Sequence, residues 1–170
     1  MQKLILVYGV IAGLVIIGTS ILSLKLGIAS MWLGYLVMFI AFSSIFVAVK
    51  QYRDDRLGGI IRFGTGFGLG LGISIVASLI YISVWELYLL STDYTFIDTY
   101  IALIMEDKKT AGASVEELAA TATAMESLRE IYADPLLRVP MTFVEIFPVG
   151  LLMSLIAAFV LKNNKSLATA

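Results

Sequence analysis

The sequence predicts an all-α integral membrane protein, a four-transmembrane-helix bundle with a periplasmic helical segment between helices 3 and 4. Three observations lead there. Hydrophobic residues make up 59% and charged residues 15% of the 170, with mean hydropathy +0.94, whereas soluble domains are roughly half apolar and a quarter charged. Four stretches, residues 4–24, 31–49, 63–85 and 141–161, have the roughly 20 apolar residues needed to cross a hydrocarbon core. Lysines and arginines gather at alternate ends of these stretches, as they do in multi-pass proteins. The chain reads as one membrane domain over residues 1–170, with an extracytoplasmic excursion over about residues 90–140 that is too polar to span.

The first span opens as a secretory leader would, with a basic start and an apolar run. The run continues to Leu24 without a small-residue cleavage site, well beyond the roughly 7–15 residues of a leader core, and so reads as a transmembrane helix. Lys3, then Lys50, Arg53, Arg56 and Arg62, then Lys162 and Lys165 belong on the cytoplasmic side, which places both termini there. The opposite side receives Lys25 and the excursion, where nine acidic residues face four basic ones. Trp32, Tyr35, Trp85, Tyr88 and Tyr94 fall where an outer aromatic belt is expected. Asp54 and Asp55 between Arg53 and Arg56 read as solvated charge beside an anionic-lipid contact. The closing NNKSLATA reads as a frayed tail.

Residues 62–72, RFGTGFGLGLG, place glycine at Gly64, Gly66, Gly68, Gly70 and Gly72. The run follows Arg62 and continues directly into an apolar stretch. It lacks both the lysine of a phosphate-binding loop and the preceding strand of a dinucleotide fingerprint. In a helix, Gly64, Gly68 and Gly72 share one face and Gly66 and Gly70 a neighbouring one, which makes a glycine zipper for close helix approach. Gly9 and Gly13 in the first span, Ser30 and Gly34 in the second, and Gly150, Ser154 and Ala158 in the fourth repeat the spacing. Either a compact bundle or an oligomer would satisfy these ridges. A flexible or broken third helix is the functional rival.

Two glutamates stand where hydropathy does not ask for them. Glu86 lies about 36 Å along a helix from Arg62, and Glu145 about 25 Å from Lys162, at 1.5 Å per residue. An intramembrane carboxylate is expensive and therefore marks a paired, neutral or hydrated site. Glu145 points toward the side of Leu152 and Ile156, and Pro148 frees the carbonyl of Val144 beside it. Arg129 and Arg138 are the cations available to either acid. Arg129 interrupts the apolar stripe Val115, Leu118, Ala122, Met125, Leu128 and Tyr132 of a helix predicted over residues 115–133. That helix starts at a capping box, Ser114 with Glu117, and stops before Pro135. Ile97, Tyr100, Ile101 and Ile104 mark an earlier helix, and TAGA, residues 110–113, a hinge between the two.

TFVEIFPVGLLMSLIAAFVLKN, residues 142–163, and QYRDDRLGGIIRFGTGFGLGLGISIVASLIYISVWELY, residues 51–88, resemble the bacterial inner-membrane family catalogued as domain of unknown function 4199. Glu145, Pro148, Val149 and Gly150 carry the most specific part. The resemblance implies four spans in the bacterial inner membrane with a helical segment between the third and fourth, and it implies no activity.

Histidine and cysteine are both absent, and no aspartate pair lies within the spans. The familiar nucleophile–base arrangements are therefore excluded, and the chain is not expected to be an enzyme, to hold a cofactor or metal, or to bind nucleic acid. The leading expectation is a structural or accessory subunit whose partners are the lipid bilayer and either its own copies or another membrane protein. The alternative is a small proton- or cation-linked transporter or channel that uses Glu86 or Glu145 at the outer leaflet.

Overall fold

The computed structural model describes residues 1–28 and 30–163; Lys165 and most of the tail read as frayed lie outside the described residues. Six helices follow in order: α1 Gln2–Lys25, α2 Met31–Arg56, α3 Phe63–Ser91, α4 Phe96–Thr110, α5 Val115–Ala133 and α6 Pro135–Leu161. No strand occurs among the described residues beyond one isolated bridge between Ile61 and Asn163. Four of the helices, α1, α2, α3 and α6, are long and apolar enough to cross a membrane. The chain divides into two compact units, one made of Met1–Val84 with the stretch from Phe143 onward, the other of Trp85–Thr142.

Helix ends follow local chemistry. Past α1, Gly27 takes φ +67° while the Ile28 amide donates to the Ser23 carbonyl and the Gly27 amide to that of Leu24, a glycine-closed C-terminus. Ser30, expected on a packing ridge, instead caps α2: its hydroxyl accepts from the Leu33 amide at 3.2 Å, and a side chain at Gly34 would meet open space. The capping box of α5 forms as expected, with Ser114 and Glu117 each accepting from the other's amide. The last long helix starts at Pro135, six residues before the expected 141, because Asp134 caps it through the Leu136 amide at 2.8 Å. Proline is suited to the first helical position, so the residue that stops α5 also begins α6.

In the first unit, α3 is the helix that the others meet. Lipid tails are as apolar as leucine, so association there depends on close contact rather than on expelling water. A Cβ on Gly9 would lie 2.6 Å from Val76 Cβ, and one on Gly13 would lie 2.7 Å from the Ala77 carbonyl oxygen, which brings α1 against α3. Gly72 meets Ile5 of α1, while Gly66 faces Val49 of α2 and Ala158 of α6.

The α3–α6 contact is reciprocal. A Cβ on Gly70 would press on Ser154, and one on Gly150 would press on Ser74, at 2.9 and 2.6 Å. The two serine hydroxyls lie 3.1 Å apart, and each is within hydrogen-bond reach of the carbonyl of the glycine one turn before it, so that one donates to its partner and the other to its own helix. Phe42 and Ile45 of α2 close over this contact and are fully buried. Gly64 and Gly68 face open space, since a side chain at either would meet nothing within 4 Å among the described residues of the chain. The five glycines therefore divide by orientation: among the described residues, Gly66, Gly70 and Gly72 touch other helices and Gly64 and Gly68 do not.

In the second unit, α4 and α5 pair through a turn in which Gly112 has φ +76°. Leu118, Met125, Leu128 and Tyr132 are half-buried along one side of α5, whereas Val115 and Ala122 of the expected stripe are exposed. Trp85, expected in an outer aromatic belt, is buried and meets Phe96 edge-on at 4.8 Å. Phe96 also stacks on Tyr100 and lies 6.1 Å from Tyr132. Trp32, at 81% exposure, faces outward as a belt residue does.

Gly13→Ala is expected to lower the unfolding midpoint in detergent by the equivalent of about 1–3 kcal/mol through overpacking, whereas Gly64→Ala and Gly68→Ala shift it by less than about 1 kcal/mol. Equal losses at all three positions would contradict the packing described. The capping hydrogen bond from the Ser114 amide, the largest cause, holds the Glu117 carboxyl below its usual range. A depressed folded-state value gives stabilisation that is full above the ordinary carboxylate range and lost as pH falls through the folded value. Circular dichroism should show helix content falling with acidification more in the wild type than in Glu117→Gln.

Candidate functional site

Two acids and two cations were the sequence's candidates, and the second unit brings one of each together. Glu86 sits one turn before the end of α3, and Arg138 occupies the fourth position of α6. The guanidinium donates from Nε and Nη2 to the two carboxylate oxygens of Glu86 at 2.8 and 2.6 Å. Its Nη1 donates to the Tyr132 carbonyl near the end of α5, and its centre lies 5.2 Å from the Tyr94 ring centroid. The Arg138 side chain is 1% exposed and that of Glu86 24%.

This geometry is two-pronged, charge-assisted and nearly dry. Arginine suits it because its planar fork matches a carboxylate while its face accepts an aromatic ring. The backbone contributes to the arrangement. Asp93 and Tyr94 both take left-handed conformations, with φ +48° and +57°, and the Tyr94 amide donates to the Leu89 carbonyl at 2.9 Å. That pattern matches the glycine-closed ends of α1 and α4, with Asp93 where those helices have glycine. Aspartate tolerates the left-handed region, but a bulky Tyr94 there is an outlier, held where its ring covers Arg138.

Arg129 goes elsewhere. It bridges Asp98 of α4 at 2.9 Å and Glu126 of α5 at 2.6 Å, with the two acids exposed and the arginine half-buried. Surface pairs of this kind contribute little to stability. No group of three or more metal-ligating side chains converges among the described residues.

Glu145, in the first unit, is the other outcome. It is exposed, on the α6 face that also carries the exposed Met141, Leu152 and Ile156. Among the described residues it makes no hydrogen bond or ion pair. Pro148, one turn on from Val144, has no amide to give its carbonyl, so the helix lacks one of its regular hydrogen bonds beside the bare acid.

Sequence reasoning missed Ser74 and Ser78, both fully buried. Their signal was available, since they continue the four-residue period of Gly66 and Gly70. The roles of Tyr94 and of the Tyr132 carbonyl had no such signal, because a left-handed tyrosine and a backbone oxygen leave no mark in residue type.

A model of the protein family described as "Protein of unknown function (DUF4199)" matches residues 7–163, nearly the whole chain. Neither the curated proteins nor the solved structures include a significant match.

Arg138→Ala is expected to cost on the order of 3 kcal/mol of unfolding free energy, because it strands a carboxylate and a carbonyl together. Arg129→Ala should cost no more than about 1 kcal/mol. Arg138→Lys should fall between them, since an ammonium cannot reproduce the fork. Thermal unfolding in one detergent would check the order, and an Arg129 loss equal to that of Arg138 would refute it.

Proposed function

The chain belongs to the DUF4199 family, and from that premise we propose that it is a non-catalytic membrane subunit that associates through α6 with its own copies or with another membrane protein. The single observation that carries this reading is Glu145, an acid on an exposed face of a long apolar helix with no partner among the described residues. A charge in hydrocarbon is costly unless it is paired, neutralised or hydrated. A second chain laid against α6 supplies that cover. The exposed apolar side chains around Glu145 give such a chain a surface to meet, and the smallness of Gly150, Ser154 and Ala158 on the other side is already used within the chain. The lack of histidine and cysteine supports a role without catalysis.

The distribution of lysine and arginine supports a bacterial inner-membrane protein with both termini cytoplasmic and residues 92–134 in the periplasm. The same bare carboxylate favours a second reading, in which neighbouring copies line a proton or cation path at Glu145.

Purification in nanodiscs from native membranes, with the intact particle weighed, tests the proposal. A particle of several copies, or one with a stoichiometric foreign subunit, is expected, and Glu145→Leu should release single chains. A wild-type particle holding one chain and lipid alone would overturn the association. Glu145→Gln that abolishes flux in vesicles while leaving the particle intact would favour the second reading.

A further inference from the structure

One end of the first unit collects most of its cations. The Arg53 guanidinium reaches the Leu161 carbonyl, and Ile61 pairs with Asn163. Lys3 and Arg56 line a single groove between the first turns of α1 and the last turns of α2. The groove encloses about 500 Å³ and is also lined by Leu4, Val7, Ile11 and Asp55. Tyr8 bridges the two helices by donating to Gln51 at 3.2 Å.

The lining is graded along the helix axis. Lys3 and Ile11 are eight residues apart, about 12 Å at helical rise. The charged side chains lie at one end and the apolar ones at the other, where exposed Val7 and Ile11 continue into the exposed Leu14 and Val15 of α1. Arg53 is tied to Asp54 at 2.7 Å. Lys3 and Arg56, in contrast, make no ion pair among the described residues. Among the side chains that line the groove, Lys3 and Arg56 against Asp55 leave a positive balance.

We propose that this groove holds one anionic phospholipid, its phosphodiester against Lys3 and Arg56 and an acyl chain along Val7 and Ile11. A soluble protein or peptide would not need the apolar floor to open onto the hydrocarbon, and a free phosphate would use only the charged end. Basic side chains at the ends of spans favour anionic headgroups in this way. Asp55 accepts from a hydroxylated headgroup, so an anionic lipid with a hydroxylated headgroup such as phosphatidylglycerol fits the lining.

The test is native mass spectrometry of the full chain from mild detergent after incubation with equimolar phosphatidylglycerol and phosphatidylcholine of the same acyl length. The expected result is one retained phosphatidylglycerol per chain, preferred by about tenfold or more. Lys3→Gln with Arg56→Gln should abolish the preference, while the charge-keeping Lys3→Arg with Arg56→Lys should retain it. Equal retention of the two lipids by the wild type would overturn the proposal. So would loss of preference in the charge-keeping variant, or displacement of the lipid by glycerol phosphate at the lipid's own concentration. Unfolding midpoints in lipid-free detergent distinguish lost binding from lost folding, because the groove variants alter only exposed charges and should not move them.

Discussion

Close backbone approach around α3 is the constraint on which the first unit depends. In water a helix can be held by burying a broad apolar face, but in hydrocarbon the face gains nothing by leaving its solvent. What remains is contact, and contact requires the absence of side chains at chosen places. Gly9 and Gly13 let α1 reach α3, while Gly70 with Ser74 and Gly150 with Ser154 let α3 and α6 reach each other. The serines give this contact polarity without width. A hydrogen bond between them is worth roughly 0.6 kcal/mol by analogy with other membrane helices, and the hydroxyl that accepts it keeps its own proton for the carbonyl one turn before it.

The second unit is organised by charge instead. Arg138 is almost wholly withdrawn from solvent, and such a cation is tolerable only where its donors are matched. Glu86 supplies two acceptors, Tyr132 a third, and Tyr94 an aromatic face. The ends of α3 and α5 and the start of α6 are thereby fixed to one guanidinium. Nothing about this arrangement requires a substrate, and the full use of both carboxylate oxygens leaves Glu86 engaged. Glu145 is in the opposite condition, exposed and without a partner among the described residues, and the two acids that hydropathy marks as equals are chemically unlike.

The four long helices were legible because length and hydropathy are one-dimensional properties. The capping box of α5 was legible because its two partners are three residues apart. Gly64 and Gly68, open on their side within the chain, show the limit of such patterns: spacing reports which residues share a face and is silent on which helix, if any, lies against it. Glu86 and Arg138 are 52 residues apart, so the sequence could offer the pair but not choose it over Arg129. The early start of α6 was written in Asp134 and Pro135, which fit the end of one helix and the beginning of the next equally well.

That double use of Asp134 has a mechanical consequence. Helices α5 and α6 are separated by one residue, and the ring of Pro135 fixes its own φ near −65°, so the joint retains little more than the two torsions of Asp134. A joint of that kind has no slack. Any swing of the α4–α5 hairpin turns the first turn of α6 with it, as a crank turns its shaft, and the first long side chain to feel the torque is the one that grips Glu86.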